Sequence, residues 1–255
     1  MNGQQEQQER WLSRCLQIGF VLVLLLLWYL GTTYWGISGI LLPNPVMVLH
    51  DLKEVLGSGE FLPDLEVTLF EVAVAFALSC VSGLALGYLI SRSPYLIAVF
   101  EPLLSSVYSI PIILFLPLFV LFFGLGPWSK IALGATISFF PIVLNTIAGF
   151  GYVDRIFITA ARSMGASNAQ MFRYVLLPAA LPVVLTGLRI GFTIALLAVL
   201  GSETIASFAG LGHRIAQLAD AMETVRMFAY ITFAVAIAAG LNALVSSLER
   251  QAKRR

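Results

Sequence analysis

The sequence is short of charge and of the side chains that carry metal or nucleophilic chemistry. Only 11% of its 255 residues are charged, whereas soluble domains carry about 25%. Its two histidines belong to no His-Glu-x-x-His motif and to no nucleophile–base cluster. With 15 basic and 14 acidic residues, the chain also lacks the basic surface that nucleic-acid binding requires. These absences exclude a soluble enzyme, an intramembrane enzyme, a disordered chain and a nucleic-acid-binding protein.

Cysteine and ATP-binding motifs are equally scarce. Cys15 and Cys80 lie at or inside apolar runs, which favours two buried free thiols over a disulfide or a metal site. The chain has no Gly-x-x-x-x-Gly-Lys-[Ser/Thr] motif and no Gly-Lys pair at all. It therefore cannot hold ATP in a P-loop, and we expect it to bind no metal and no cofactor of its own.

Apolar residues, by contrast, are abundant and form long runs. They make up 59% of the chain, and a helix needs about 20 mostly apolar residues to cross a bilayer. Six runs meet this requirement: 16–35, 65–91, 97–123, 130–150, 179–201 and 227–248. None alternates apolar and polar residues as a membrane β-strand does. The pattern predicts an all-α, polytopic membrane protein with six spans, the first of which is too long for a cleaved signal peptide.

The basic residues are distributed unevenly between the two sides of the predicted membrane. An even number of spans places both termini on one side, which holds ten Lys and Arg residues against four on the other. Because the side richer in basic residues is usually cytoplasmic, we expect both termini in the cytoplasm. The chain then divides into residues 1–60, with the tail, first span and outward loop, and a five-span core over 61–255.

Prolines and paired glycines interrupt several of the predicted spans. Pro111 and Pro117 lie within the third span, where each removes a backbone donor and bends the helix. Two pairs of glycines four residues apart, in GLALG at 83–87 and GLRIG at 187–191, allow helix backbones to approach closely. These patterns favour helix packing. The alternative is a bent helix that lines a transport pathway.

The most strongly patterned connection is the predicted cytoplasmic loop between spans four and five, residues 151–178. Asp154 is placed to cap a short helix over 155–164, and Gly165 suits the left-handed conformation that ends one. Ser167 then begins a Ser-x-x-Gln capping box, which is typical of the start of a second helix. The loop is therefore predicted to form a helix–glycine–helix structure.

Apolar residues of the second loop helix lie on one face, and we expect Met171 and Phe172 to be exposed there, ahead of the next span at Pro178. An amphipathic helix on this surface suits a groove in a cytoplasmic partner. Alternatively, it rests on the membrane as an interfacial helix. The pattern alone leaves both possibilities open.

The same loop resembles a known motif. Its segment TAARSMG, then nine residues, then VLLP is similar to the EAA loop of ATP-binding-cassette (ABC) importer permeases, which has Glu-Ala-Ala, three residues, Gly, nine residues and Ile-x-Leu-Pro. Ala160, Ala161, Gly165 and Pro178 match at the right spacing. Thr159 stands in place of the glutamate, and a valine stands in place of the isoleucine.

The resemblance extends over roughly residues 41–250. LLPNP at 41–45, FFPIVLN at 139–145 and LPAALPVVLTGLRIG at 177–191 resemble permeases for sulfonates, taurine, nitrate and related small molecules. It implies the permease subunit of a type I importer in a bacterial inner membrane. It further implies a second permease copy in a homodimer, cytoplasmic ABC ATPase subunits that bind the ATP, and an external solute-binding protein that delivers the small-molecule solute.

The resemblance also implies roles for individual residues. Those expected to form the ATPase coupling loop are Thr159, Ala160, Ala161, Gly165, Ser167, Met171, Phe172 and Pro178. Those expected to line the pathway or bend a helix are Pro111, Pro117, Arg189 and Glu203.

Arg189 is the one charged residue expected deep in the bilayer. It lies 11 residues beyond Pro178, about 16 Å along a helix and near the middle of a hydrocarbon core about 30 Å thick. A central arginine costs about 2.5–3.5 kcal/mol to insert, so it needs a partner, for which Glu71 and Glu101 of other spans are candidates. Two roles stay open: Arg189 pins neighbouring helices or a dimer interface, or it offers positive charge to an anionic solute.

Glu203 belongs to the predicted outward connection over 202–226, within which residues 215–222 form a candidate short helix. A solvated surface loop is the simplest interpretation. A gate and a docking rim for the binding protein is the alternative.

An ion-coupled secondary transporter is the alternative function for the whole chain. Such a protein uses intramembrane carboxylates and inverted repeats. The first three spans show no convincing repeat in the last three. The sequence therefore favours the ATP-driven importer and leaves its solute open.

Overall fold

The computed structural model describes residues 3–34 and 36–253. Helices predominate in these two ranges, and no strand occurs in them. The α-helices are α1 Gly3–Tyr34, α2 Pro45–Ser58, α3 Leu62–Ser91, α4 Pro94–Tyr108, α5 Leu116–Phe123, α6 Pro127–Gly151, α7 Arg155–Ser163, α8 Asn168–Met171, α9 Leu177–Ile205, α10 Leu211–Asp220 and α11 Thr224–Lys253. A 3₁₀-helix over Ile112–Phe115 and a π-helix over Phe172–Leu176 complete the order.

The prediction of an all-α membrane protein is confirmed, with five apolar spans, or six where one bent pair of helices counts as a span. Five segments of the described chain are long and apolar enough to cross a membrane: Cys15–Thr33, Leu62–Ser91, Pro127–Gly151, Asn168–Ile205 and Thr224–Gln251. The sixth is a broken pair, α4 with Ile112–Phe123, bent by 70°.

The bend in this third span lies at Pro111. The α4 helix ends at Tyr108, and Pro111 has φ −71° and ψ 82°, outside the helical range. Pro117, in contrast, lies in the first turn of α5, where a missing N–H breaks no helical hydrogen bond. Of the two predicted bending residues, Pro111 therefore lies at the break and Pro117 begins a helix.

The chain forms two compact units, of which the first comprises Met1–Glu60 and Ile215–Phe233. Asn44 caps α2 by accepting a hydrogen bond from the Val46 amide at 2.9 Å. The Trp28 ring lies 6.1 Å from that of Phe228, and Arg226 forms an ion pair with Glu60. These contacts join the first span, the helix that follows it and the start of α11 within this unit.

The second unit comprises Phe61–Arg214 and Ala234–Arg255 and is built around α6. The glycine pairs of α3 and α9 both face α6: a Cβ at Gly87 would lie 2.6 Å from Thr146 Cβ, and a Cβ at Gly191 would lie 2.6 Å from Ile142 Cγ1. Both glycine pairs therefore serve close helix packing, as the sequence favoured. The residues of one buried core cluster are Val72, Ala75, Ile131, Leu196 and Val199.

The two cysteines are free thiols with different surroundings. Cys80 is half-buried in α3, whereas Cys15 is exposed. The expected burial of Cys15 is wrong, because the apolar surface of α1 is itself exposed along most of its length rather than covered by other helices.

Candidate functional site

The first helix of the 151–178 loop is capped at both ends as the sequence predicts. The Asp154 carboxylate accepts a hydrogen bond from the Ile156 amide at 2.9 Å and so begins α7. Gly165 follows the helix with φ +78°, and its amide donates to the Arg162 carbonyl at 2.9 Å. This left-handed conformation favours glycine, which fixes the angle at which the chain leaves α7.

The second loop helix begins with the predicted capping box. The Ser167 hydroxyl accepts from the Gln170 amide at 3.3 Å, and the Gln170 side-chain carbonyl accepts from the Ser167 amide at 2.8 Å. From here α8, the π-helix and α9 run on without a break, so the fifth span begins at Asn168 and not at Pro178. The Leu177 amide donates to the Phe172 carbonyl, five residues back, and this wider turn accommodates the proline ring that follows.

Phe172 attaches the loop to the spans. Its ring stacks against that of Phe150 at 6.1 Å and meets the edge of Tyr88 at 5.4 Å, and Tyr88 and Phe150 lie 5.1 Å apart. Phe172 is thereby half-buried, and Met171 is buried. The prediction that Met171 and Phe172 are exposed is therefore wrong, because α3 and α6 end at this level and supply the rings that cover Phe172.

Different apolar residues are exposed on the loop. Ile156 is 71% exposed, Phe157 59% and Met164 80%. Ala161 is buried and Ile158 half-buried, so these two residues face inward while Ile156, Phe157 and Met164 face outward. We call the exposed face formed by Ile156, Phe157 and Met164 the loop surface. Sequence reasoning did not predict this surface. The only local signal is the small residue Ala161, which marks the side of α7 that packs inward.

The remaining residues predicted for the coupling loop are divided between its outside and its interior. Ala161 is buried where α7 packs against α8 and the π-helix. The others are exposed: Thr159, Ala160, Gly165, Ser167 and Pro178.

Arg189 pairs with a residue of the last helix. Its Nη1 lies 3.5 Å from Glu249 Oε2, on α11. Neither expected partner, Glu71 or Glu101, fills this role: Glu71 lies beside Glu203, and Glu101 accepts a hydrogen bond from the Tyr152 hydroxyl at 2.8 Å. That hydrogen bond raises the pKa of Tyr152. Glu249 lies four residues before the end of α11, whereas Arg189 lies near the middle of its own span, so this ion pair joins the middle of the fifth span to the last turns of α11.

Glu203 is buried in the last turn of α9 rather than exposed in a loop. Its carboxylate accepts from the Thr68 hydroxyl at 2.7 Å and from the Gly212 amide at 2.8 Å, while the Thr68 hydroxyl accepts from the Leu211 amide at 2.9 Å. The expectation of a solvated position is wrong for this residue, because the segment after α9 turns back and covers it. Glu203 thereby joins α3 and α9 at the end opposite the loop.

Two further buried charged residues, Lys130 and Glu71, lie beside Glu203, and sequence reasoning did not predict this cluster. The Lys130 ammonium donates to the carbonyls of Leu125 and Gly126, the second at 2.9 Å. The carboxyl groups of Glu71 and Glu203 lie beside each other in the same buried cluster, with Lys130 near both. Buried charges in a membrane domain are satisfied in this way by pairing and by carbonyl groups.

Within the described residues no group of three or more His, Cys, Asp or Glu side chains is placed to hold a metal ion. The distinctive features of the second unit are instead a rigidly capped apolar surface outside the spans and a helix attached directly to them. Such an arrangement is that of a helical membrane domain with an exposed apolar surface outside its spans.

The comparisons with known proteins assign this domain to a family. The family model described as binding-protein-dependent transport system inner membrane component matches residues 79–255. The chain belongs to this family.

Relatives match almost the whole chain. The taurine transport system permease protein TauC of Escherichia coli strain K12 is 34% identical over 95% of this chain and 91% of its own length. The putative aliphatic sulfonates transport permease protein SsuC of Bacillus subtilis strain 168 is 31% identical over 90% of this chain and 83% of its own.

Solved structures share the fold. A chain of an amino acid ABC transporter aligns with a TM-score of 0.62 and 24% identity over 80% of this chain and 97% of that one. A chain of the inward-facing MetNI methionine ABC transporter aligns with a TM-score of 0.60 and 21% identity, covering 75% and 93%. The protein is a multi-pass membrane permease subunit of an ABC importer, and not an ion-coupled carrier.

Proposed function

We propose that the loop surface docks into a separate ABC ATPase subunit in the cytoplasm and transmits its movements to the spans. In this proposal two copies of the chain form the pathway, ATP is bound only by the ATPases, and an external binding protein delivers the solute. Both termini then lie in the cytoplasm, on the side of the loop. The exposure of three large apolar side chains on a rigidly capped loop is the observation that carries the proposal.

The chemistry of the loop surface suits an apolar cleft with an acidic rim. Ile156, Phe157 and Met164 supply apolar area, and the exposed Arg155 and Arg162 flank them on the same short helix. Apolar anchors surrounded by charge are typical of protein interfaces. Because both ends of α7 are capped, the surface is already ordered before docking, which lowers the entropic cost of binding.

The attachment of the loop supports transmission of movement. Phe172 packs against the ends of α3 and α6, and the backbone continues from α8 through the π-helix into α9. A displacement of the loop therefore reaches three spans through ring contacts and one unbroken helix. Such continuous contacts are what a coupled rigid-body movement requires.

The relatives favour a small sulfonate-type solute. The E. coli taurine permease and the B. subtilis aliphatic sulfonate permease align with 95% and 90% of this chain. We therefore propose a small organic solute that carries an anionic head group of the sulfonate kind.

The docking proposal is tested by replacing exposed apolar residues of the loop surface. Phe157→Ser and Met164→Ser remove apolar anchors without disturbing buried contacts, since both side chains are largely exposed. The expected result is loss of ATPase co-purification in mild detergent and of ATP-dependent taurine uptake in proteoliposomes. Spans and membrane insertion should be unchanged.

The matched control is Phe208→Ser. Phe208 is 73% exposed but follows the opposite end of α9, so its replacement should leave the ATPase bound. Retention of the ATPase by a variant that carries both Phe157→Ser and Met164→Ser, or its equal loss in the control, would contradict the proposed docking site.

A further inference from the structure

A polar groove lies between α9 and the last turns of α11, away from the loop surface. Its volume is about 610 Å³, and it is lined by Arg189, Asn242, Ser246, Glu249 and Arg250 together with two alanines. Two guanidinium groups and one carboxylate face the same space, so the groove carries a net positive charge. In a segment of apolar helices this surplus of charge requires a partner.

Arg189 is poorly satisfied by the protein itself. Its side chain is 47% exposed, and its distance of 3.5 Å to Glu249 exceeds the 2.7–3.2 Å range of N–H···O hydrogen bonds. A guanidinium has five N–H donors, yet Arg189 makes no hydrogen bond to another side chain or carbonyl in the parts of the chain that the structure describes. Glu249 is also shared, because the Thr186 hydroxyl donates to its Oε1 at 3.3 Å.

The other polar groups of the groove are arranged as donors. The Thr193 hydroxyl lies 3.1 Å from the Arg189 carbonyl and 3.3 Å from Asn242 Oδ1, so Asn242, whose amide carries two N–H donors, is held at the wall of the groove. Arg250 Nε donates to the Ser246 carbonyl at 3.2 Å, and both residues line the groove. An excess of donors and of positive charge is the pattern that recognises an anion.

We propose that this groove binds the oxyanion group of a small anion, with Arg189 as the charged anchor and Asn242, Ser246 and Arg250 as additional donors. The ligand class is a compact sulfonate, carboxylate or phosphate, whose oxygens match the forked N–H groups of arginine. The site rests on the proposed function in that the solute of this permease carries such a group. Pinning of helices alone does not account for Arg189, since its side chain is half-exposed and its ion pair is long.

Anionic lipid head groups offer the same chemistry as a free solute. A phosphate of phosphatidylglycerol presents oxygens to arginine as a sulfonate does. The two sources are separated by two measurements on the full chain in nanodiscs. Ethanesulfonate binding is measured in phosphatidylcholine alone, and thermal unfolding is compared with and without phosphatidylglycerol.

The first arm titrates ethanesulfonate into the chain in phosphatidylcholine nanodiscs by calorimetry, at constant ionic strength and without ATP. Arg189→Gln should weaken binding tenfold or more. Arg189→Lys should weaken binding less, because lysine keeps the positive charge and lacks only the paired N–H donors of the guanidinium. Glu249→Gln should tighten binding several-fold, because the competing carboxylate is gone while the acceptor for Thr186 remains. Arg92→Gln, an exposed arginine at the end of α3, is the matched control and should bind as wild type does.

The second arm measures thermal unfolding with and without phosphatidylglycerol. If the lipid raises the Tm of the wild type but not of Arg189→Gln, while ethanesulfonate does not bind in phosphatidylcholine, the oxyanion is that of a lipid. If neither probe separates wild type from Arg189→Gln, and Glu249→Gln has no effect, the site does not exist. These readouts need no ATPase, so failure of the coupling proposal leaves them unchanged.

Discussion

At the scale of single residues, different side chains of the 151–178 loop attach it to the spans and form its exposed surface. Phe172 is held between Tyr88 and Phe150, whereas Phe157 and Met164 face outward. Gly165 lies between these two groups and sets the turn that joins them. Substitutions on either side of Gly165 should therefore impair coupling by different routes, one through the spans and one through docking.

Gly165→Val is expected to uncouple transport without removing the protein from the membrane. The residue has φ +78°, and a Cβ there would meet no other atom within 4 Å, so the cost is backbone strain of about 1–2 kcal/mol rather than a clash. That strain tilts α7 away from its position beside α8. Solute-stimulated ATP hydrolysis by the reconstituted complex should fall strongly, while expression and membrane insertion stay at wild-type levels.

Gly165→Asn serves as the control for this prediction, because asparagine tolerates the left-handed conformation far better than valine. It should retain most of the coupled hydrolysis. Equal loss in both variants would mean that the backbone angle is not the reason glycine is needed.

At the scale of helices, α6 is the element on which the second unit is built. The glycines of α3 and α9 allow both helices to touch its backbone or the first atoms of its side chains. At Gly87 a Cβ would also lie 2.8 Å from the Val143 carbonyl oxygen. Since backbone cannot move aside as a long side chain does, the helices themselves would have to separate.

Gly87→Ala should therefore destabilise the protein. Overpacking of this kind costs about 1–3 kcal/mol, and the expected result is a lower Tm in detergent. The comparison is Gly201→Ala, which adds the same methyl group in α9 where no other atom lies within 4 Å. Its Tm should be equal or higher, because alanine favours the helix over glycine. A lower Tm for both variants would point to helix propensity or local strain and not to packing against α6.

The same helices show what the sequence can and cannot predict. The Asp154 cap, the Gly165 turn and the Ser167 capping box are set by neighbours within four residues, and all three were predicted correctly. The burial of Phe172 depends on rings from α3 and α6, far away in the chain, and the prediction failed there.

Charged residues show the same limit. Lys130 begins a predicted span, and nothing in its local sequence indicates that it is fully buried at the start of α6 with carbonyl partners. The partner of Arg189 was sought in other spans by depth alone. It is Glu249, at a level of α11 that the sequence places near the tail. Pairing between distant segments carries no local pattern, and only the packed helices reveal it.

At the scale of the whole molecule, the broken third span leaves a surface that does not suit lipid. Ser105, Ser106 and Ser109 are exposed beside the break, and the backbone at Pro111 is not helical. Irregular backbone at membrane depth occurs only where protein covers it or where it lines a water-filled cavity. We expect a second copy of the chain to face this surface and to enclose the pathway with it.

Cross-linking tests this arrangement. In a background with Cys15 and Cys80 replaced by alanine, Ser106→Cys is expected to give a covalent dimer with a short bis-maleimide in membranes. Val81→Cys, at a position of α3 that is 72% exposed on an uninterrupted helix, should remain monomeric. Absence of a Ser106→Cys dimer, or equal dimer formation at both positions, would argue against a second copy at the break.

The deep burial of α6 also has a consequence for how the chain is made. This helix carries Lys130, Ser138 and Thr146 at buried positions, each satisfied only inside the folded second unit or by its own carbonyls. A nascent α6 that entered lipid alone would leave the Lys130 ammonium, three residues after the start of the helix, without the carboxyl groups of Glu71 and Glu203 that lie near it in the folded unit. Synthesis reaches α9 only after α6 is complete. In the interval, α3 or the insertion machinery must keep the polar groups of α6 from contact with lipid. The helix that organises the finished fold therefore also constrains the order of biogenesis.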